Sequence, residues 1–262
     1  MSLRTPMAIA NRTDFRILEE TENYIAVDKP APMLVHPSTP GGPRTLYDEL
    51  SDLLAYELVT GGALSIINRL DRETSGVVLV AKNPAAARSF CRAMEQRRVE
   101  KNYLALVWGW PNEDQFSIDA PLLRRGEVDP GPVWLERAVH PKGAPALTHF
   151  FVRRRFSRAD PPDTRFSLIE ASPVTGRMHQ IRVHLQHAGH PIVGDKLYGP
   201  DRRLYLHFIE HGFDETLRRR LLWSRHALHC QRLALETAHG HRSWTATLPQ
   251  EFQDFLSGKP LP

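Results

Sequence analysis

Short stretches of alternating apolar and polar residues recur along the chain and predict β-strands. The clearest lie at residues 24–28, 102–108, 166–170 and 243–248. Shorter apolar runs at residues 63–67 and 77–82 predict two more strands around a polar segment. Several strands follow one another without an intervening helix, around residues 63–82 and 146–171. This order favours a mixed, largely antiparallel sheet over a doubly wound parallel one.

Other stretches have the period of amphipathic helices. One follows Thr45, whose spacing from Asp48 is that of a capping box, and it carries regularly spaced leucines and ends at Gly61. A second runs from Pro84 to about Arg98, with the proline in the first helical position. Together, these patterns predict an α+β fold in which helices flank a central sheet.

Two longer segments interrupt this regular pattern. Residues 121–145 are polar and rich in proline and glycine, which predicts a long loop or a minor subdomain, and such loops are often functional. Residues 201–225 have the pattern of two short amphipathic helices inserted between strands. The length of 262 residues suits one domain built of two packed subdomains.

The composition excludes several classes of protein. The longest apolar run, residues 76–81, is far shorter than the ~18 residues of a membrane span, and the N-terminus has no signal-peptide pattern. Cys91 and Cys230 are too few for a disulfide framework, and we interpret both as reduced thiols of the core. Motifs of nucleotide-binding loops, zinc proteases and esterases are missing. We therefore expect a cytoplasmic protein.

The charge distribution favours an anionic partner. The net charge is +4 and the sequence pI is about 9.2. Arginines cluster at residues 124–125, 153–155 with 158, 202–203 and 218–220. The planar guanidinium suits phosphate, because it can donate two parallel hydrogen bonds. One such cluster is typical of a solvated surface, but four together favour nucleic acid over a small-molecule substrate.

Residues 68–76, Asn-Arg-Leu-Asp-Arg-Glu-Thr-Ser-Gly, hold an acidic residue between two predicted strands. Arg69 and Arg72 bracket Asp71, and a guanidinium within a few Å would lower the pKa of the carboxylate by ~1–3 units and keep it ionised. An ionised aspartate can act as a nucleophile or as a base. An aspartate that only caps the turn before Thr74 is an equal alternative on local sequence alone.

A second segment with candidate chemistry, residues 175–199, contains a predicted helix from residue 177 to residue 188. Helical spacing places His179 and Arg182 on a polar stripe and Ile181 on an apolar stripe that suits packing on a sheet.

The same segment has histidines at positions 184, 187 and 190, a spacing that could hold a metal. No acidic or cysteine ligand adjoins them, so a core or nucleic-acid role is favoured. Tyr103 opens a predicted strand and is either a core residue or a ring for stacking on a base, which contributes ~1–3 kcal/mol per base.

Three motifs in this order resemble those of the RluA-type pseudouridine synthase family. They are residues 28–37 (Asp-Lys-Pro-Ala-Pro-Met-Leu-Val-His-Pro), residues 68–76, and residues 175–199 with Thr-Gly-Arg-x-His-Gln-Ile-Arg-Val-His. The resemblance runs from about Phe15 to the C-terminus. It implies a fold with a central RNA-binding cleft. It also implies an isomerisation of specific uridines in tRNA or rRNA that breaks the bond to the uracil nitrogen and rejoins the ring through carbon 5, without cofactor or metal.

The resemblance also implies roles for individual residues. Asp71 matches the catalytic aspartate, which acts on the ribose of a flipped-out uridine as a nucleophile or as a base. Tyr103 matches the tyrosine that stacks on the target base, and Arg182 matches the basic residue that pairs with the catalytic carboxylate. Arg69 matches the arginine that fills the gap left by the extruded base. Ile181 is expected to line the same pocket.

Three residues depart from the family pattern. Asn68 stands where histidine is usual, Pro32 where glycine is common, and Cys230 where alanine is usual. None of them coincides with the positions that match catalytic residues, so the departures bear on the geometry of the RNA-binding loops.

The resemblance sets the expected domain organisation and partners. Residues 1–14 are expected to be a tail and residues 15–262 the catalytic domain, without the small RNA-binding domain that precedes it in many relatives. RNA would then be bound by the catalytic domain through its arginine clusters and the segments 121–145 and 201–225. A monomer without membrane contact or obligate protein partner is expected. Two other functions remain open, an RNA-binding protein that has lost catalysis and a hydrolase that uses Asp71 with a histidine of the 177–188 helix.

Overall fold

The computed structural model describes residues 15–37, 41–159, 164–237 and 240–259. The predicted tail, residues 1–14, lies outside this part of the chain. The strands are β1 (Arg16–Glu20), β2 (Tyr24–Lys29), β3 (Ser65–Ile66), β4 (Ser75–Ala81), β5 (Val99–Trp108), β6 (Gln115–Asp119), β7 (Leu122–Arg124), β8 (Arg137–Val139), β9 (Leu147–Arg158), β10 (Thr164–Pro173), β11 (Leu228–Thr237) and β12 (Gly240–Thr245). The helices are α1 (Leu46–Leu53), α2 (Ala55–Val59), α3 (Pro84–Glu95), α4 (Gln180–His187), α5 (Arg203–His211), α6 (Glu215–Leu221) and α7 (Gln250–Leu256), with a 3-10 turn at Arg125–Glu127.

Ten of the described strands form one sheet, in the order β1-β2-β4-β11-β5-β10-β9-β6, with β12 beside β11 and β3 beside β4. Its described pairings are antiparallel apart from that of β4 with β11. The remaining two strands, β7 and β8, pair within the 121–145 segment. The predicted α+β class with a mixed, largely antiparallel sheet is therefore confirmed.

The parallel contact between β4 and β11 depends on a glycine. Gly76 pairs with Cys230, and a Cβ atom at position 76 would lie 2.1 Å from the Cys230 carbonyl oxygen. Its φ of 114° is also one that other residues rarely adopt. Since Tyr103 of β5 pairs with Cys230 on the other side of β11, this contact brings the end of the 68–76 loop close to β5.

Several predicted elements have different bounds in the structure. The first predicted helix is interrupted at Leu54, which separates α1 from α2. The last predicted strand, residues 243–248, is displaced by three residues to Gly240–Thr245. The α4 helix begins at Gln180 because the Gln180 Oε1 atom accepts hydrogen bonds from the Arg177 amide (2.9 Å) and the Thr175 hydroxyl (2.7 Å). These bonds close a turn ahead of the helix.

The core lies at the centre of the sheet, where all seven residues of β4 are buried. The α3 helix buries Phe90 and Ala93. The interpretation of both cysteines as core thiols is wrong for Cys91, which is exposed because it lies off this apolar stripe of α3, and it holds for Cys230. Among the described helices, none has the length and hydropathy needed to cross a membrane.

Candidate active site

The 68–76 loop is joined to β4 by the Asn68 side chain. Asn68 donates from Nδ2 to the Val77 carbonyl (2.9 Å) and accepts at Oδ1 from the Leu79 amide (2.8 Å). The side chain is buried, so both hydrogen bonds are shielded from water. Asparagine at the position where the family usually has histidine thus closes the base of the loop.

The first sequence motif reaches the same loop through Lys29. This side chain is fully buried, and its Nζ donates to the carbonyls of Pro30 (2.9 Å), Met33 (2.9 Å) and Arg72 (3.4 Å). The Met33 amide also donates to the Arg72 carbonyl (2.9 Å). Burial, followed by the Arg225 charge, lowers the pKa of Lys29 to about 7. Lys29 therefore anchors the backbone one residue beyond the candidate aspartate.

Asp71 forms an ion pair with Arg182 of α4, whose Nη1 lies 2.9 Å from Asp71 Oδ2. Asp195 holds the rest of the guanidinium, accepting from Nε at 2.7 Å and from Nη2 at 2.9 Å. Asp195 is fully buried, and its Oδ1 also accepts from the amides of Leu197 and Tyr198. Arg182 is therefore fixed in orientation, with one donor left for Asp71.

This pairing keeps Asp71 ionised in a cleft that solvent reaches. Burial raises the pKa of Asp71, but the positive charge of Arg182 and the hydrogen bond from its guanidinium outweigh burial and set the pKa below its ordinary value. The Asp71 side chain nevertheless keeps 30% of its exposure. It can therefore meet a substrate as a carboxylate.

The prediction that Arg69 and Arg72 hold Asp71 ionised is wrong. Both arginines are exposed, and within the described residues the ion-pair partner of Asp71 is Arg182, with Nε2 of His179 3.9 Å away. Successive side chains of the turn point in different directions, so neighbours in sequence are not neighbours of the carboxylate. Arg69 is exposed at the surface of the loop.

His179 lies directly before α4 with a left-handed backbone (φ 58°), which is uncommon for a residue other than glycine. Its Nδ1 is 2.8 Å from the Tyr198 hydroxyl, and its Nε2 is 3.9 Å from Asp71 Oδ2. Burial, followed by the Arg182 charge, lowers the pKa of His179 to about 4. The ring is therefore neutral at pH 7.

Two more histidines hold the far end of the loop. The Thr74 hydroxyl lies 2.7 Å from Nε2 of His226, and the Ser75 hydroxyl lies 2.9 Å from Nδ1 of His229. Burial lowers the pKa of both rings, that of His229 to about 4. Both rings therefore act as neutral hydrogen-bond partners that attach the loop to the entrance of β11.

Tyr103 and Ile181 lie in the same hydrophobic cluster, together with Leu70 and Cys230. Burial, the Cys230 thiol and the negative charge of Asp71 raise the pKa of Tyr103 well above its ordinary value. The phenol is therefore protonated at neutral pH. Tyr103 thus lies within electrostatic reach of Asp71, and Ile181 is the residue before Arg182 on α4.

The histidines at 184, 187 and 190 do not form a metal site. His184 uses both ring nitrogens, at 3.0 Å from the Thr148 hydroxyl and 3.0 Å from the Ala120 carbonyl oxygen. His190 Nδ1 lies 3.1 Å from the Trp108 carbonyl oxygen. No group of three or more potential ligands is assembled anywhere in the described ranges.

Sequence reasoning missed Asp195, Tyr198 and His226. A signal for Asp195 is present, because it lies in an apolar stretch after Val193, where a carboxylate needs a buried cation. Gly194 supports this turn, since a Cβ atom there would lie 1.9 Å from the Arg225 carbonyl oxygen.

Most of the arginine clusters seen in the sequence are paired with carboxylates. Arg125 and Arg202 both pair with Glu136, at 3.5 and 3.2 Å, and Arg203 pairs with Asp201 at 2.9 Å. Further pairs join Arg153 to Glu170, Arg155 to Asp114, Arg218 and Arg219 to Glu215, and Arg220 to Asp201. The clusters are therefore less free to bind phosphate than their sequence indicates.

The two inserted segments border the cleft. In the 121–145 segment, the Arg137 amide donates to the Tyr198 hydroxyl at 2.8 Å, and Trp134 is 71% exposed beneath the Arg124 guanidinium, which lies 3.5 Å from its ring centroid. The 201–225 segment forms the two predicted helices, α5 and α6. Lys196 links the second segment to the loop, since its Nζ lies 2.8 Å from Glu73 and 4.9 Å from the Phe208 ring.

Comparisons with known proteins identify the family of the chain. The sequence model of the family described as RNA pseudouridylate synthase matches residues 23–187. The chain is 42% identical over 235 residues to an uncharacterized RNA pseudouridine synthase of Chloroflexus aurantiacus, covering 87% of this chain and 64% of that protein. It is 35% identical over 253 residues to the ribosomal large subunit pseudouridine synthase D of Nitrosomonas europaea, covering 94% and 66%.

A third relative, the ribosomal large subunit pseudouridine synthase C of Escherichia coli, is 39% identical over 193 residues, covering 72% of this chain and 55% of that protein. The chain thus spans between 55% and 66% of the length of these three relatives.

Solved structures share the fold. Human RNA pseudouridylate synthase domain containing 4 superposes with a TM-score of 0.71 at 24% identity, covering 93% of this chain and 92% of that one. Human RNA pseudouridylate synthase domain containing 1 has a TM-score of 0.64 at 25% identity, with 95% and 97% covered.

Proposed function

Since the chain belongs to the RluA-type family of RNA pseudouridylate synthases, we propose that it isomerises uridine to pseudouridine in a structured RNA. The observation that carries this proposal is the ion pair of Asp71 with Arg182, in which Asp195 fixes the guanidinium and the cleft leaves the carboxylate accessible. A carboxylate held ionised next to a fixed cation can attack the sugar or remove a proton from it. Both roles of Asp71 are compatible with this geometry.

The neighbouring residues support the other steps of the proposed reaction. The base must leave the stack to reach Asp71, and the exposed Arg69 on the same loop is placed to enter the gap. In this proposal the Tyr103 ring and Ile181 provide the apolar surface against which the flipped base stacks. Tyr103 stays protonated, and its hydroxyl is hydrogen-bonded to the Cys230 thiol.

Large-subunit ribosomal RNA is the substrate class that we propose first, because two of the relatives are named for it. Transfer RNA is the alternative. We propose that residues 15–262 act as the catalytic domain and that the segments 121–145 and 201–225 choose the RNA, since both border the cleft. A monomer that acts on such an RNA in the cytoplasm completes the proposal.

The test is tritium release from RNA labelled at uridine carbon 5, because the hydrogen on this carbon must leave as a proton once the ring is rejoined through it. Wild-type protein should release tritium from unmodified large-subunit RNA fragments, and Asp71→Ala should not. Asp52→Ala is the matched control, because this surface aspartate pairs with exposed Arg44, away from the cleft. Unmodified bulk tRNA serves as the second substrate.

The outcomes separate the rival functions. Release from rRNA but not from tRNA supports the substrate class, and the reverse result replaces it. Absence of release from either RNA while RNA binding persists contradicts the isomerase and supports a binding protein on this fold. Appearance of free uracil would identify a hydrolase.

A further inference from the structure

A second arginine-lined surface lies on α3, outside the clusters that the sequence shows. A groove of about 510 Å³ is lined by Ala85, Arg88, Ser89, Arg92, Ala93, Arg98 and Glu236. The three arginines are exposed, and Arg88 and Arg92 stand one turn apart on the same face of the helix. The groove therefore gathers three positive charges that are spread over eleven positions of the sequence.

These arginines have no acidic partner. Across the described part of the chain, neither Arg88 nor Arg92 forms a hydrogen bond or an ion pair, and Arg98 donates only to the neutral Gln96 side chain, at 2.9 Å. The acidic residue that lines the groove, Glu236, is engaged with His241 at 3.1 Å. The guanidinium groups are therefore available to a ligand, unlike those of α5 and α6.

The stability of α3 does not require these charges. Like charges one helical turn apart repel each other, and alanine has the higher helix propensity at exposed positions. Arg92 gains from its place in the last turn, where the helix dipole favours a cation, but Arg88 has no such advantage. Arg97, at the rim, adds a fourth exposed charge in a left-handed position (φ 54°) where glycine would be less strained.

The groove lies at the opposite end of the central strands from the active site. Cys230 of β11 pairs with Gly76 beside the catalytic loop, whereas Leu235 pairs with Val99 next to Arg98. The six residue steps from Cys230 to Glu236 span roughly 20 Å of strand. A ligand that filled both the cleft and the groove would have to be an extended polyanion.

We propose that the α3 groove binds the phosphate backbone of the RNA at a distance from the target uridine. This inference rests on the proposed function for the identity of the polyanion. Unpaired arginine on an exposed groove suits phosphodiester oxygens, and such contacts position a nucleic acid without reading its sequence. The groove thereby extends the RNA footprint well beyond the cleft.

The test compares two double variants of equal charge. Arg88→Ala with Arg92→Ala removes two groove charges, and Arg16→Ala with Arg44→Ala removes two charges that are paired with Asp28 and Glu49. Binding of a fluorescent RNA duplex is measured between 50 and 200 mM salt. The groove variant should weaken binding and lower the slope of log K against log salt by about one to two, since each phosphate contact contributes ~0.9 in duplex DNA. The control should keep the wild-type slope.

A reporter on the groove locates the contact. Cys91 is exposed on α3 beside Arg92, whereas Cys230 is buried, so a thiol-reactive fluorophore labels Cys91 selectively. Its fluorescence should change on titration with the same RNA duplex, and the change should be lost in the groove variant.

RNA binding can be measured without turnover. The binding assay therefore tests the groove, and tritium release separately tests the proposed isomerase function. A wild-type slope in the groove variant overturns the proposal. So does an equal decrease in both variants, which would be an effect of net charge. If duplex RNA leaves the Cys91 signal unchanged while an acidic protein or anionic vesicle alters it, the groove belongs to another partner.

Discussion

The cleft around Asp71 and the groove on α3 both contain arginine, but their charges are held in different ways. In the cleft, Arg182 is buried and shared between two carboxylates. On α3, Arg88 and Arg92 are exposed and have no acidic partner within the described residues.

The difference shows that the surroundings of an arginine decide what it contributes. A buried charge is costly unless it is paired, so the cleft uses its ion pairs to hold one geometry, and these are little affected by salt. An exposed unpaired arginine contributes little to folding but attracts a polyanion in a salt-dependent way. Substitutions in the two regions should therefore separate stability and catalysis from binding.

The largest effect is expected for Asp195→Ala. This change leaves the buried Arg182 guanidinium with only one of its two carboxylates, and breaking a buried pair costs ~3–5 kcal/mol of unfolding free energy. Turnover should fall as well, because Arg182 loses its orientation toward Asp71. Urea unfolding and tritium release measure the two effects.

Glu215→Ala is the matched surface control. It removes a carboxylate that pairs with the exposed Arg218 and Arg219, and a surface substitution should stay within ~0.5 kcal/mol of wild type. An Asp195→Ala protein as stable as this control would show that the buried pair does not hold the site.

The pH dependence of activity tests the same pair. Burial raises the pKa of Asp71 and Arg182 outweighs it, so the carboxylate is ionised above its lowered pKa and activity should be lost only at acidic pH. In the double variant Arg182→Gln with Asp195→Asn, burial acts on Asp71 with less opposition, and the acid limb of kcat/KM should move to higher pH. The second substitution avoids an unpaired buried charge.

The contribution of Asp71 to the unfolding free energy also decreases toward acidic pH. Because its folded-state pKa is lowered, the contribution is present above the unfolded-state pKa and is lost as the pH falls through the folded-state pKa. An acid limb that stays in place in the double variant would show that Arg182 does not control the ionisation of Asp71.

The parts of the site that the sequence predicts are those carried by motifs. The resemblance identifies Asp71, Tyr103 and Arg182, and in the structure Arg182 forms an ion pair with Asp71. Asp195 was missed although it stands 13 residues after Arg182, because no periodicity marks an ion pair between a helix and the loop that follows it.

The surface arginines show what the sequence does not predict. Bunching in the sequence identifies arginine clusters but not their pairing, since the carboxylate that Arg202 meets lies 66 residues away. The arginines of α3 are spaced by helical turns and so do not bunch. The fold itself was more predictable, because alternation of apolar residues and the order of strands depend on local sequence, whereas the starts of helices, such as α4, depend on side-chain contacts.

The smallest effect in this comparison is expected for the paired arginines of α6. Replacing Arg218, Arg219 and Arg220 by alanine should weaken RNA binding and flatten its salt dependence if the 201–225 segment contacts RNA. Arg219 and Arg220 already pair with Glu215 and Asp201. Each replaced arginine should therefore lower the slope of log K against log salt by less than the ~0.9 per phosphate that a free arginine would give. Binding titrations at several salt concentrations, beside those of the α3 variant, measure this. If the affinity for RNA is unchanged at every salt concentration, the 201–225 segment is not part of the RNA-binding surface. If the affinity falls by more than it does in the α3 variant, the ranking of paired and unpaired arginines is reversed.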